Sequence, residues 1–150
     1  RTMEIMKDSR IGSFGTISLI LVLLAKFTFI TELGPSNWWM IPVSIVNGRF
    51  TAAYMISKFP SARTEGLGSL FKESQPGRLV GIVFSAYAIA LLLTKPAYLI
   101  AAAGAILCGH SIGIWSIRKI NGLTGDVYGA GIELSETLSL AICWGVMQWI

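Results

Sequence analysis

The chain has 150 residues, 53% of them hydrophobic and only 13% charged, with 12 basic against 8 acidic side chains for a net charge of +4. A soluble domain carries about 25% charged residues, so an ordinary water-soluble globule is excluded. A disordered chain, which combines low hydrophobicity with high charge, is excluded too. Cys108 and Cys143 both lie in apolar runs and give neither a metal-ligand spacing nor a disulfide framework. What remains is an integral membrane protein, an all-α polytopic helix bundle with one transmembrane domain over residues 1–150.

Five apolar segments follow one another, near Phe14–Phe29, Trp38–Ser57, Leu79–Thr94, Ala97–Ile117 and Val127–Ile150. Their lengths suit a bilayer. Lipid leaves no backbone group unpaired, so each span is expected as an α-helix.

The basic residues sort by connection. Arg1, Lys7 and Arg10 precede the first span; Lys58, Arg63, Lys72 and Arg78 separate the second from the third; Arg118 and Lys119 separate the fourth from the fifth. The opposite connections hold only Lys95. The positive-inside rule then places the N-terminus in the cytoplasm and the C-terminus outside a cell (inner) membrane, with Trp38, Trp39 and Trp149 as an outer aromatic belt. These charges serve short loops and form no basic stripe with stacking aromatics, so nucleic acid is not an expected partner. The chain opens on Arg1, and its first residues read as the middle of a loop, so an upstream part is expected.

Charged groups inside a bilayer mark function by default. Lys26, near the outer end of the first span, is expected to snorkel outward. Arg49, His110 and Glu133 each fall roughly 10–12 Å from the inner end of their spans at 1.5 Å per residue. A shared polar cavity open to the cytoplasm explains all three. Singly, Arg49 also fits a snorkelling residue, His110 a hydrogen bond between packed helices, and Glu133 a structural bridge to an Arg.

The most informative stretch runs from Asn121 to Glu136. Asp126, Gly129, Ala130 and Glu133 share one helical face. That sets two carboxylates about 10.5 Å apart along the axis, with nearly bare backbone between them. Carboxylates hold Mg²⁺, and missing side chains leave room for a phosphate ester. The bland alternative makes Gly129 and Ala130 packing residues and Asp126 an N-cap. A second stretch, Glu4 to Gly15, places Asp8 or Ser9 as a cap and Gly12 and Gly15 where an anion approaches a helix start. A third joins Asn47-Gly48-Arg49 to Phe59-Pro60-Ser61-Ala62-Arg63-Thr64-Glu65-Gly66-Leu67-Gly68, with Arg49 and Arg63 as forked donors for phosphate oxygens. There is no Walker loop, zinc-protease motif or hydrolase triad. No internal repeat suggests a transporter with inverted halves. Gly109-x-x-x-Gly113 offers a small-residue face for helix pairing, within the chain or in a homo-oligomer.

Together, Glu4-Ile5-Met6-Lys7-Asp8-Ser9-Arg10-Ile11-Gly12, Phe59 to Gly68, and Gly122-Leu123-Thr124-Gly125-Asp126-Val127-Tyr128-Gly129-Ala130 with Glu133 resemble the cobalamin synthase (adenosylcobinamide-GDP ribazoletransferase) family across nearly the whole chain. The resemblance implies a membrane-embedded transferase of late cobalamin biosynthesis. It would join α-ribazole or its 5′-phosphate to adenosylcobinamide-GDP, with release of GMP and with Mg²⁺ as the metal. On that reading Asp126 is expected as a metal ligand, Glu133 as a second ligand or the general base, Arg49 and Arg63 on phosphate, and Asp8, Arg10 and Gly129 lining the substrate site. The family's Asp-rich segment lies upstream of Arg1, so the chain reads as a C-terminal portion that is inactive alone. The family is similar in outline to CDP-alcohol phosphotransferases, but Ala130 stands where those enzymes place their last Asp. The alternative function is a transporter or assembly subunit without catalysis.

Overall fold

A computed structural model describes residues 12–62 and 77–148. They form five long helices: α1 Ser13–Glu32, α2 Met40–Lys58, α3 Gly77–Thr94, α4 Ala97–Ile120 and α5 Gly125–Met147, with a 3₁₀ turn at Pro35–Asn37. A helix lies at each of the five expected spans. Helices α1, α3, α4 and α5 are long and apolar enough to cross a membrane. Helix α2 is 19 residues long but more polar.

The element ends follow local chemistry. Gly34, at φ 63°, turns the chain into the 3₁₀ turn, so α2 starts at Met40 rather than Trp38. Trp38 and Trp39 stack in that link, ring centroids 3.8 Å apart. Helix α4 runs on to Ile120 because Asn121 takes the left-handed conformation (φ 60°) and donates its N–H to Ile117 O. Asn tolerates this conformation better than most residues, and it is a common way to end a helix.

Helices α2, α4 and α5 pack as the core trio, α1 leans on α5, and α3 lies against α2 and α4. The buried side of α2 is Met40, Ser44, Asn47, Gly48, Thr51 and Met55, which is helical spacing on one face. Its polarity explains why α2 is the least apolar helix while sitting at the centre. Gly109 and Gly113 of α4 meet Thr51 and Phe59 of α2. The small-residue face is therefore spent on packing within the chain.

The core has three layers. One apolar cluster holds Leu33, Met40, Leu91, Tyr98, Ala101, Ala102, Leu140 and Cys143. The other, at the opposite end, holds Met55, Phe59, Leu123, Val127 and Tyr128. Between them lies a belt of Ser44, Asn47, Ser135, Glu136 and Ser139, all buried. Asn47 Nδ2 donates to Ser139 Oγ at 2.8 Å, and Tyr87 Oη donates to Asn47 Oδ1 at 2.9 Å. These bonds link α2 to α5 and α3 at a depth where lipid offers no alternative partner.

The α2 end and the α4–α5 turn are tied by backbone. Leu123 N–H donates to Pro60 O at 2.9 Å, and Ala62 N–H donates to Leu123 O at 2.8 Å. A Cβ on Gly122 would lie 2.6 Å from Ala62 N and 2.7 Å from Ser61 C. Only glycine admits that approach. Ser116 Oγ closes the turn by donating to Gly122 O at 2.6 Å.

Candidate functional site

Two of the three motif stretches meet at this tie. Phe59 to Ala62 sits against Gly122 and Leu123, directly before the start of α5. Asp8, Arg10 and Arg63 lie outside the described residues.

Helix α5 is capped by Thr124, whose backbone is extended and whose carbonyl accepts the Tyr128 N–H at 3.1 Å. Asp126 therefore occupies the first turn rather than the cap. There its carboxylate faces favourable helix-end dipoles. Asp126, Gly129, Ala130 and Glu133 are all exposed. A Cβ on Gly129 would meet nothing within 4 Å. Among the described residues, then, Gly129 is not a packing glycine, and the expected face is open.

The strongest electrostatic feature lies further along the same helix. Lys26 Nζ, from α1, donates to Glu133 Oε2 at 2.6 Å and to Glu136 Oε2 at 2.8 Å. The Lys26 side chain is 16% exposed, that of Glu136 10% and that of Glu133 52%. Lys26 thus points into the bundle and does not snorkel outward. Two carboxylates recruit it across the helix interface, where losing an ion partner costs more than the exit to water returns. Glu136 fits because Gly48 is bare: a Cβ there would collide with Glu136 Cγ and lie 2.9 Å from Oε1. Neither Lys26 nor Gly48 stood out as a site residue in the sequence. The available signal was a lone cation within one span and an i,i+3 Glu pair within another, since buried charges seek each other in lipid.

The three-residue depth match resolves into two levels. Arg49, next to Gly48 on α2 and exposed, shares the level of the acidic pair. His110 sits lower, bonded through Nδ1 to Tyr54 Oη at 2.7 Å and with its ring centroid 5.5 Å from that of Phe59. Tyr54 is about 9 Å along α2 from Gly48 at 1.5 Å per residue. His110 is thus an interhelical hydrogen bonder. Glu133 and Asp126 remain about 10.5 Å apart along α5. The pockets around Lys95, about 390 and 430 Å³, open at the far end of α4 from this site.

Among the described residues no group of three His, Cys, Asp or Glu side chains is placed to hold a metal. The Glu133–Glu136 pair already holds an ammonium. Asp126 offers a single open carboxylate, which falls short of a Mg²⁺ site.

Membrane-length helices around a buried polar belt, with a carboxylate-bearing glycine face at one end, define a helical membrane protein that holds ionic groups inside its bundle. The chain belongs to the cobalamin-5-phosphate synthase (CobS) family, whose model matches residues 1–144. It is similar to the adenosylcobinamide-GDP ribazoletransferase of Roseiflexus sp. (strain RS-1), 39% identical over 142 residues, covering 94% of this chain and 53% of the relative. The protein of that name from Herpetosiphon aurantiacus is 39% identical over 143 residues, covering 95% and 57%. The one from Citrobacter koseri is 35% identical over 149 residues, covering 93% and 59%. The chain thus spans just over half the length of these curated relatives. No solved structure matches it.

Proposed function

We propose that the protein containing this chain is a membrane-embedded transferase that joins α-ribazole, or its 5′-phosphate, to adenosylcobinamide-GDP and releases GMP. The reading is supported by the family match, which runs through all three motif stretches. The open face from Asp126 to Glu133 is consistent with it. The reaction is an in-line displacement. A ribazole oxygen attacks the cobinamide-linked phosphorus, a new P–O bond forms, the pyrophosphate P–O bond breaks, and GMP departs with the bridging oxygen. An attacking hydroxyl gives up its proton to a base.

In this proposal Asp126 and Glu133 flank the substrate along α5, and Gly129 and Ala130 leave room for its phosphates. Arg49 and Arg63 hold phosphate charge, with Asp8 and Arg10 at the mouth. Mg²⁺, when bound, would neutralise the pyrophosphate. Asp126 is proposed as one ligand, completed from outside the described residues, and no step is routed through the metal. The site faces the cytoplasm in the N-in, C-out orientation that the loop charges support.

The test is GMP release from adenosylcobinamide-GDP by membranes carrying the full-length protein. Asp126→Asn is expected to lower turnover by about a hundredfold or more. Wild-type turnover in both Asp126→Asn and Glu133→Gln would sink these roles. Gly129→Ala should leave the fold intact, because its Cβ meets nothing, whereas Gly129→Leu should raise KM by filling the face. A transporter or assembly subunit would release no GMP.

A further inference from the structure

Helix α1 has no fully buried residue, yet it carries the ammonium that pairs with Glu136 of the polar belt. From the geometry we infer that Lys26 is the positioning residue for Glu133, holding its carboxylate on the open face of α5 by tying it to Glu136, which is itself lodged on the bare backbone of Gly48. This role rests on the transferase reading, in which Glu133 works at the substrate.

The three groups have different jobs. Glu136 is fixed, because its side chain is 10% exposed and its Cγ and Oε1 press on α2 at Gly48. Glu133 is half exposed and, one turn earlier on the same helix, free to sample several rotamers unless something holds it. Lys26 bonds both, at 2.6 and 2.8 Å. A flexible carboxylate is thereby referenced to a rigid one through a shared cation. Two carboxylates thus share one ammonium, and Glu133 is the exposed member of the pair. An arrangement serving packing alone would have no use for an exposed, ordered anion. Charged side chains in lipid are retained where they face a bundle interior and do work there. Phe29, one turn beyond Lys26, meets Trp144 with ring centroids 5.9 Å apart, which holds α1 on α5 independently of the charges.

The experiment uses the full-length protein in membranes. It measures GMP release and, in parallel, photo-cross-linking of α1 to α5 from a benzoylphenylalanine at position 29, which keeps an aromatic ring against Trp144. Lys26→Met is expected to lower kcat by about tenfold to a hundredfold, the range for a misplaced catalytic group. KM should move much less, and the cross-link should persist. Lys26→Arg, which keeps the charge and two-way hydrogen bonding, should recover most of kcat. The double variant Lys26→Met with Glu136→Gln restores the charge balance without the tether. It should recover thermal stability but not kcat.

Unchanged kcat in Lys26→Met overturns the inference, as does recovery of kcat in the double variant, since charge balance alone would then suffice. A parallel loss of cross-link and kcat that Lys26→Arg does not rescue assigns Lys26 to helix docking instead. Wild-type protein that releases no GMP overturns the transferase reading and this role together, whereas an active wild type with an indifferent Lys26 overturns this role alone.

Discussion

Helices α1 and α2 are nearly the same length, 20 and 19 residues, and opposite in construction. The first is mostly apolar, has no fully buried residue, and leans on α5 with Lys26 and Phe29 among its contacts. The second is interrupted by Ser44, Asn47, Gly48, Arg49 and Thr51 and lies at the centre of the bundle. In water the apolar helix would be the one inside. In lipid there is no hydrophobic gain between helices, so polar contacts and close backbone approach decide which helix is central. The contrast shows that the belt, rather than apolar area, specifies the arrangement.

Substitutions can break this contrast at graded cost. The largest effect is expected where backbone meets backbone at the foot of α2. Gly122→Val should destabilise the protein by about 4 kcal/mol or more, since neither Ser61 nor Ala62 can yield. Loss of a folded detergent-solubilised fraction would report it. Gly48→Val should follow, at about 1–3 kcal/mol, by pushing Glu136 off α2. The drop in thermal midpoint should shrink when Glu136 is shortened to Ala in the same chain. Asn47→Leu removes the bonds to Ser139 and Tyr87 and should cost about 1 kcal/mol, the typical size for polar contacts in lipid. Denaturation in mixed micelles would resolve it. Smallest of all, Leu23→Ala on the exposed side of α1 should stay within about 0.5 kcal/mol. A cost for Leu23 comparable with that of Asn47 would mean that α1 is a core helix and that the contrast is wrong.

Much of this fold was legible in the sequence. Each long apolar run became a helix because lipid permits little else, and Pro60 and the Asn121–Gly125 turn punctuate the chain as their residue types require. The open face on α5 was legible for the same reason, since a helical period fixes Asp126, Gly129, Ala130 and Glu133 to one side. The direction of Lys26 was not. Periodicity places a side chain on its own helix but does not say which neighbour that side meets, so outward snorkelling and an inward ion pair look alike. Gly48 was opaque too, because its meaning depends on Glu136, far away in sequence. The common depth of Arg49, His110 and Glu133 failed in part because counting from span ends ignores the offset between helices. His110 settles beside Tyr54, lower than the acidic pair.

The bond between Asn47 and Ser139 spans 92 positions of the chain. Ribosomes add about 5–20 residues per second, so the amide on α2 waits about 5–18 s for its hydroxyl partner to be made. During that interval the polar side of the least apolar helix is answered only in part, by Tyr87 of α3, which is made 40 positions after Asn47. Insertion of α2 is thus expected to be secured in two steps, first by α3 and then by α5.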